Sequence, residues 1–177
     1  MIVIGCDPST RAPAFAVHDP RGGSWVIRKF QVPKGEELRD NVIREIGAWL
    51  RELAGDPAYG FSEAHLVVED QYLSRALDAK GRPLSNPRSY KALVAARGMI
   101  EAAARLAGCE VHEPANPQVW QTAILGTRRG TPRRQVKEAA KLRAQVLTGE
   151  KVRDADKADA VCITAYLAHR LTSRGAA

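Results

Sequence analysis

The chain has 177 residues, 45% of them hydrophobic, and a formal net charge of +7. This supports one domain with a real core and argues against a disordered tail. No apolar run approaches the roughly 18 residues that a membrane span needs. A basic domain of this size often meets a polyanion, and nucleic acid is the commonest. Cys6, Cys109 and Cys162 are far apart and form no CxxC pair. That argues for reduced thiols in a cytoplasmic setting and against a zinc site. No charged segment leads into an apolar one at the start, so no signal peptide is expected.

The chain opens with Met1-Ile2-Val3-Ile4-Gly5-Cys6, an apolar run that ends in Asp7. Pro8 stops a strand there because it has no N–H for a sheet ladder. Residues 12–17 and 25–32 read as two further strands, so a three-stranded antiparallel meander is expected. Asp7 then sits at the end of a buried strand, where a carboxylate must be paired, hydrogen-bonded or bound to a metal. The plainer alternative is an Asp that caps the turn at Pro8.

Residues 36–53 place Leu38, Val42, Ile46, Trp49 and Leu53 at the spacing of one helix face. Glu36 and Glu37 suit its positive N-terminal end, and Gly55 is a plausible stop. Residues 55–62 read as loop. Residues 65–69, HLVVE, read as a buried strand that again ends in acid, Glu69 followed by Asp70. Alternation puts these two on opposite faces, so one of them at most points into any shared site.

Residues 71–88 form the longest irregular stretch. They carry Tyr72, Arg75, Lys80, Arg82 and Arg88 against a lone acid, Asp78. Aromatic and positive side chains interleaved in this way suit a surface that tracks a nucleic-acid backbone, although a solvated loop has the same composition. Helices are expected over 89–106 and 116–125, with a short strand over 109–112 between them.

Arg128, Arg129, Arg133 and Arg134 cluster around Thr131-Pro132, which reads as a helix cap followed by its first residue. Cations disfavour that end of a helix dipole, so a phosphate ligand is one explanation of the cluster and a solvated basic start is the other. That helix should run to about Leu147. The last one begins near Asp154, where Asp156 and Asp159 share a face beside Ala155, Ala158 and Ala160.

Strand-end Asp7, strand-end Glu69 and helix-face Asp156 and Asp159 together make a good oxygen-ligand set for Mg²⁺. Two such ions, roughly 4 Å apart, activate a water and stabilise the leaving oxygen of a phosphodiester. The fold class expected around such a site is α/β and ribonuclease H-like. It has a central mixed five-stranded sheet with helices on both faces, as a single domain over residues 1–177.

These residues resemble the RuvC-type Holliday junction resolvases along nearly the whole chain. Ile4-Gly5-Cys6-Asp7-Pro8 is similar to that family's first strand and metal-binding aspartate. Glu69 resembles its second acid, and Tyr72 the aromatic that wedges into the junction. Ala96-Arg97-Gly98 resembles a signature in the long helix that packs across the family's dimer. Asp156-Lys157-Ala158-Asp159-Ala160 resembles the closing DxxDA segment with the last two acids.

The chain also departs from the pattern. Ser9, Pro13 and Ala14 stand where the family has glycine and a Thr-Gly pair. A lysine expected in the short helix is either replaced by Trp120 or shifted out of register, and Arg133 stands where another basic residue is expected. These are the marks of a divergent member, such as one encoded by a phage.

The resemblance implies a homodimer that nicks opposing strands of four-way or branched DNA in the bacterial or phage-infected host cytoplasm. It implies Mg²⁺ as cofactor, two ions per site with Mn²⁺ able to substitute, and no membrane. Asp7, Glu69, Asp156 and Asp159 would hold the metal. DNA would meet Tyr72, Arg75, Lys80, Arg82, Arg88, Arg128, Arg129, Arg133 and Arg134.

Three other readings compete. An actin-like or sugar-kinase-like ATPase needs two copies of the fold and a glycine-rich phosphate loop, for which the chain is too short. A non-catalytic junction-binding module should lack at least one acid, and none is missing. A related ribonuclease H-like nuclease acting on other branched DNA or on RNA-containing duplexes stays open, because loops and dimer spacing read duplex geometry.

Overall fold

The computed structural model describes residues 1–39, 41–55, 63–71 and 86–174. Five strands form one sheet: β1 (Ile2–Asp7), β2 (Ala14–Asp19), β3 (Ser24–Lys29), β4 (Ala64–Val68) and β5 (Glu110–Val111), in the order β3-β2-β1-β4-β5. The first three pair antiparallel as the expected meander, and β4 and β5 add on parallel. The helices are α1 (Val42–Gly55), α2 (Pro87–Leu106), α3 (Pro117–Leu125), α4 (Arg133–Thr148) and α5 (Ala155–Arg174).

Strand alternation sorts the side chains between two cores. Ile2, Ile4, Cys6, Phe15, Val17, Leu66 and Val68 pack with α1 and α2 through Ile46, Leu50, Ala96 and Ile100. Val3, Ala14, Ala16 and Val67 face the other way, onto Trp120 of α3, Ala140 and Ala144 of α4, and Ala160, Val161 and Ile163 of α5. Helices therefore cover both faces. Phe15, Phe30 and Trp49 meet edge-to-face at 5.5–5.6 Å and fill the first core below β2. The thiols of Cys6, Cys109 and Cys162 are free and buried.

The approach of α5 to β1 decides where the acids go. A Cβ added to Gly5 would lie 2.4 Å from the Thr164 nitrogen and 2.8 Å from the Ala160 carbonyl oxygen. Only glycine lets the helix backbone lie directly on the strand. The Thr164 hydroxyl, 2.8 Å from the Ala160 oxygen and 3.0 Å from the Ala16 oxygen, ties the helix to β2 as well.

Several boundaries differ from the sequence expectation: the strands expected over 12–17, 25–32 and 109–112 run over Ala14–Asp19, Ser24–Lys29 and Glu110–Val111. Helix α1 starts at Val42 and not at residue 36. Leu38 is buried as its spacing required, but its carbonyl accepts from Ile43 N–H, and the Asn41 carbonyl accepts from Arg44 and Glu45 N–H. The Glu36 carbonyl is taken by the Arg11 guanidinium at 3.0 Å, so the chain turns before the helix begins. Glu45, and neither Glu36 nor Glu37, is the acid in the first helical turn.

Helix α4 is not capped by Thr131. Pro132 holds the cap position, and the Thr131 hydroxyl donates to the Arg128 carbonyl at 2.8 Å, closing the turn that Gly130 makes at φ 90°. Arg88 belongs to the first turn of α2, behind an Asn86 cap, and not to a loop.

Candidate active site

Asp7 and Glu69 end adjacent parallel strands. The Glu69 N–H donates to the Cys6 carbonyl at 2.9 Å, and Glu69 bridges to Ala115 on its far side. By alternation Asp7 shares a face with Val3 and Gly5, and Glu69 shares it with Val67, so both carboxyls project towards α5. Asp159, in the second turn of α5, is only 6% exposed.

Burial raises the carboxyl of Asp7 well above the usual range, and the charges of Glu69 and Asp159 add to it. Glu69 is pushed up to about 7 by burial and then by Asp159, against a 3.0 Å hydrogen bond donated by Trp120 Nε1 to its Oε1. Burial also raises Asp159, despite the nearby charges of Lys137 and Arg133. Burial with neighbouring carboxylates is what raises acids in this way.

Two lysines from distant segments offset part of that charge. Lys137 of α4 pairs with Asp159 and lies 4.0 Å from Asp156. Lys29, at the end of β3, bonds Asp156 at 2.8 Å and Asp154 at 2.9 Å. Burial works against both ammonium groups, but the facing carboxylates outweigh it and raise them. Asp154 stands apart from the cluster. Its Oδ1 accepts from the Asp156 and Lys157 N–H groups as the cap of α5, and Lys29 and those N–H groups hold it below the usual carboxylate range despite partial burial.

The pair Glu69–Asp70 divides as alternation requires. Asp70 shares parity with Leu66 and Val68, faces α2, and is paired with Arg97 there. Its N–H donates to the Ala115 carbonyl at 2.8 Å. Glu69 is the member that joins Asp7 and Asp159.

Glu69, Lys137 and Asp159 open on a cleft of about 510 Å³, bordered by Asp70, Gln118, Gln121 and Arg133. Asp159 Oδ1 is buried without a hydrogen-bond partner. Three elevated carboxyls, those of Asp7, Glu69 and Asp159, and an orphaned carboxylate oxygen beside a polar cleft suit a hard divalent cation, whereas Asp156 is partly exposed and paired with Lys29.

Of the basic residues, Arg133 borders this cleft, whereas Arg128, Arg129, Arg134 and Arg88 are exposed. Tyr72, Arg75, Lys80 and Arg82 lie outside the described residues. Sequence reasoning missed Lys29, Lys137 and the hydrogen bond from Trp120. Lys29 follows Trp25 and Ile27 at period two, and Lys137 lies one turn from Arg133 and from buried Ala140. That spacing was the available signal.

No protein-family model matches the chain, and no curated protein matches it. Among solved structures, T. thermophilus RuvC in complex with Holliday junction substrate aligns with a TM-score of 0.66 at 20% identity, covering 98% of this chain and 95% of that one. The fold is therefore ribonuclease H-like, as in RuvC. The ethanolamine utilization protein EutJ from Carboxydothermus hydrogenoformans aligns at a TM-score of 0.38 and 18% identity, over 72% of this chain and 41% of that one. An overlap that loose carries no argument. No helix among the described residues is long and apolar enough to cross a membrane.

Proposed function

We propose that this chain is a divalent-cation-dependent endonuclease of the RuvC type, one nuclease domain over residues 1–177. It acts as a homodimer and resolves four-way DNA junctions by paired nicks in opposing strands. The observation that supports this reading is the group of buried, elevated carboxyls: Asp7, raised by burial and by Glu69 and Asp159, beside Glu69 and Asp159, which line a cleft, on a RuvC-like fold. Mg²⁺ is the cation that an all-oxygen set favours, with Mn²⁺ as substitute.

Cations held by Asp7, Glu69, Asp156 and Asp159 would supply Lewis acidity to phosphodiester cleavage. The chain's own groups would do the rest. Trp120 keeps the Glu69 carboxyl oriented through Nε1. Lys137, which pairs with Asp159 and lines the cleft, would offer its ammonium to a substrate phosphate there. Arg133 steers the backbone towards it, with Arg88, Arg128, Arg129 and Arg134 further out. Tyr72 would stack on a base exposed at the branch point, with Arg75, Lys80 and Arg82 following the backbone.

The test is nicking of a labelled immobile four-way junction beside linear duplex and an RNA–DNA hybrid, with and without Mg²⁺. Symmetric nicks in the junction, dependent on Mg²⁺ and lost in Asp7→Asn, are expected. Equal cutting of the RNA–DNA hybrid would favour the broader ribonuclease H-like reading. Full activity in Asp7→Asn would remove the metal assignment.

A further inference from the structure

A second cluster of ligand atoms lies at the opposite end of β4 from the acids. His65 of β4 and Glu110 of β5 are register partners across the parallel pair, and His112 follows Glu110 by two residues. Alternation therefore sends all three side chains to one face. His65 is 5% exposed, and the His112 N–H donates to the Leu66 carbonyl at 2.9 Å, which extends the ladder past β5.

His65 Nδ1 lies 3.0 Å from His112 Nε2 and 3.3 Å from Glu110 Oε2, and His112 Nε2 lies 3.7 Å from Glu110 Oε1. One ligand atom from each residue can be chosen so that all lie within 4.8 Å of one another. Ligands about 2.0–2.1 Å from a tetrahedral Zn²⁺ stand about 3.3 Å apart; His65 Nδ1 is near that spacing from both His112 Nε2 and Glu110 Oε2, and a small side-chain shift brings the set to a shared centre. The other nitrogen of His65, Nε2, is buried without a hydrogen-bond partner, and the nearest carboxylate is that of Glu63 at 3.7 Å. Rotation of the exposed Glu63 side chain would bring its carboxylate onto Nε2, the usual outer support of a metal-bound imidazole.

We propose that His65, Glu110 and His112 form a second metal site that takes a borderline transition ion, Zn²⁺ foremost, with one coordination position left for water. Two imidazole nitrogens and one carboxylate suit Zn²⁺ and discriminate against Mg²⁺, which prefers oxygen. The site is separate from the acids: four residues along β4 part His65 from Glu69, roughly 13 Å. Its effect is mechanical. It pins the two-residue edge strand β5, and with it the segment through Ala115 that bridges Glu69 and leads into α3. This inference does not depend on the nuclease reading.

The experiment is a Zn²⁺ titration of the full chain in excess Mg²⁺, with a chromogenic chelator as competitor. It is run in an Asp7→Asn/Asp159→Asn background so that the acids contribute little. One equivalent of Zn²⁺ should bind, and His112→Gln or Glu110→Gln should weaken it by at least about 100-fold, since even loss of a supporting outer carboxylate costs about 10–100-fold. Co²⁺ in place of Zn²⁺ should give the visible bands of a four-coordinate centre, absent in both variants. Glu110 is exposed and His112 sits at the sheet edge, so neither variant should unfold the protein, and circular dichroism checks this. Binding that both variants leave intact would place the ion elsewhere and overturn the proposal. An absence of Zn²⁺ binding would reduce the pair to a plain His–His hydrogen bond and overturn it equally.

Discussion

Glu69 and Asp70 are neighbours with opposite environments, and substitution should separate them. Glu69→Gln keeps an oxygen for Trp120 Nε1 but removes the charge that faces Asp7 and Asp159. Nicking should fall by more than about 100-fold, beyond the loss typical of an outer-shell change. Asp70→Asn weakens a half-exposed pair with Arg97, worth about 1 kcal/mol or less, and should leave nicking near normal. Rates on the same labelled junction decide the assignment; a dead Asp70→Asn beside an active Glu69→Gln would reverse it.

The same carboxyls give the metal-free protein a pH signature. Glu69 rises from 4.5 to about 7 on folding, so the folded state binds more protons than the unfolded one between those values. Its contribution to stability is fully present below about pH 4.5 and is lost as pH rises through about 7. Asp7 and Asp159 are raised as well and act with the same sign. The melting temperature without cations should therefore drop between pH 5 and pH 8. Glu69→Gln should flatten that drop, and Mg²⁺ should restore stability at the upper end. A melting temperature that rises over this window in chelator would contradict the buried acid cluster.

Between elements, the contact that matters most is β1 against α5. Gly5→Ala would put a methyl 2.4 Å from the Thr164 nitrogen, where backbone and not a flexible side chain must yield. Overpacking of this kind costs about 1–3 kcal/mol, which lowers the melting temperature by about 2–4 °C per kcal/mol in a chain of this size. The helix would also shift relative to β1, carrying Asp159 away from Asp7. Mg²⁺-dependent nicking should then fall even at temperatures where the variant stays folded. An unchanged melting temperature and rate would mean that α5 tolerates a looser seat.

For the molecule as a whole, the net charge of +7 becomes a binding property. Arg128, Arg129 and Arg134 are exposed near Arg133 at the cleft, a surface that suits phosphates. Charge-neutral replacement of each should lower the slope of log K against log salt by about 0.9 for duplex DNA. Fluorescence anisotropy across a salt series measures it, and an unchanged slope would mean that these arginines are merely solvated. Sedimentation of the free chain and of its junction complex tests the proposed homodimer, and a monomer in both states would contradict it.

Much of the fold was legible in the amino-acid order because its signals are local. Alternation and β-branching marked β1, β2, β3 and β4, and Asn116-Pro117 with Gly126 bounded α3 to within one residue, Asn116 being its cap. The acids Asp7, Glu69 and Asp159 stood out as charges at the ends of buried patterns. The start of α1 was not legible, because an arginine 25 residues away takes the Glu36 carbonyl. Nor was the cap of α4, because Thr131 spends its hydroxyl on Arg128. Cysteine spacing argued against zinc, yet the cross-strand register of β4 and β5 assembles a histidine–glutamate cluster from residues 65, 110 and 112. Pattern along the chain determines which face a side chain takes. Which charges meet across that face, Lys137 with Asp159 and Lys29 with Asp156, is decided only when helix and sheet pack, since Coulomb interactions depend on distance in space and not on separation in sequence.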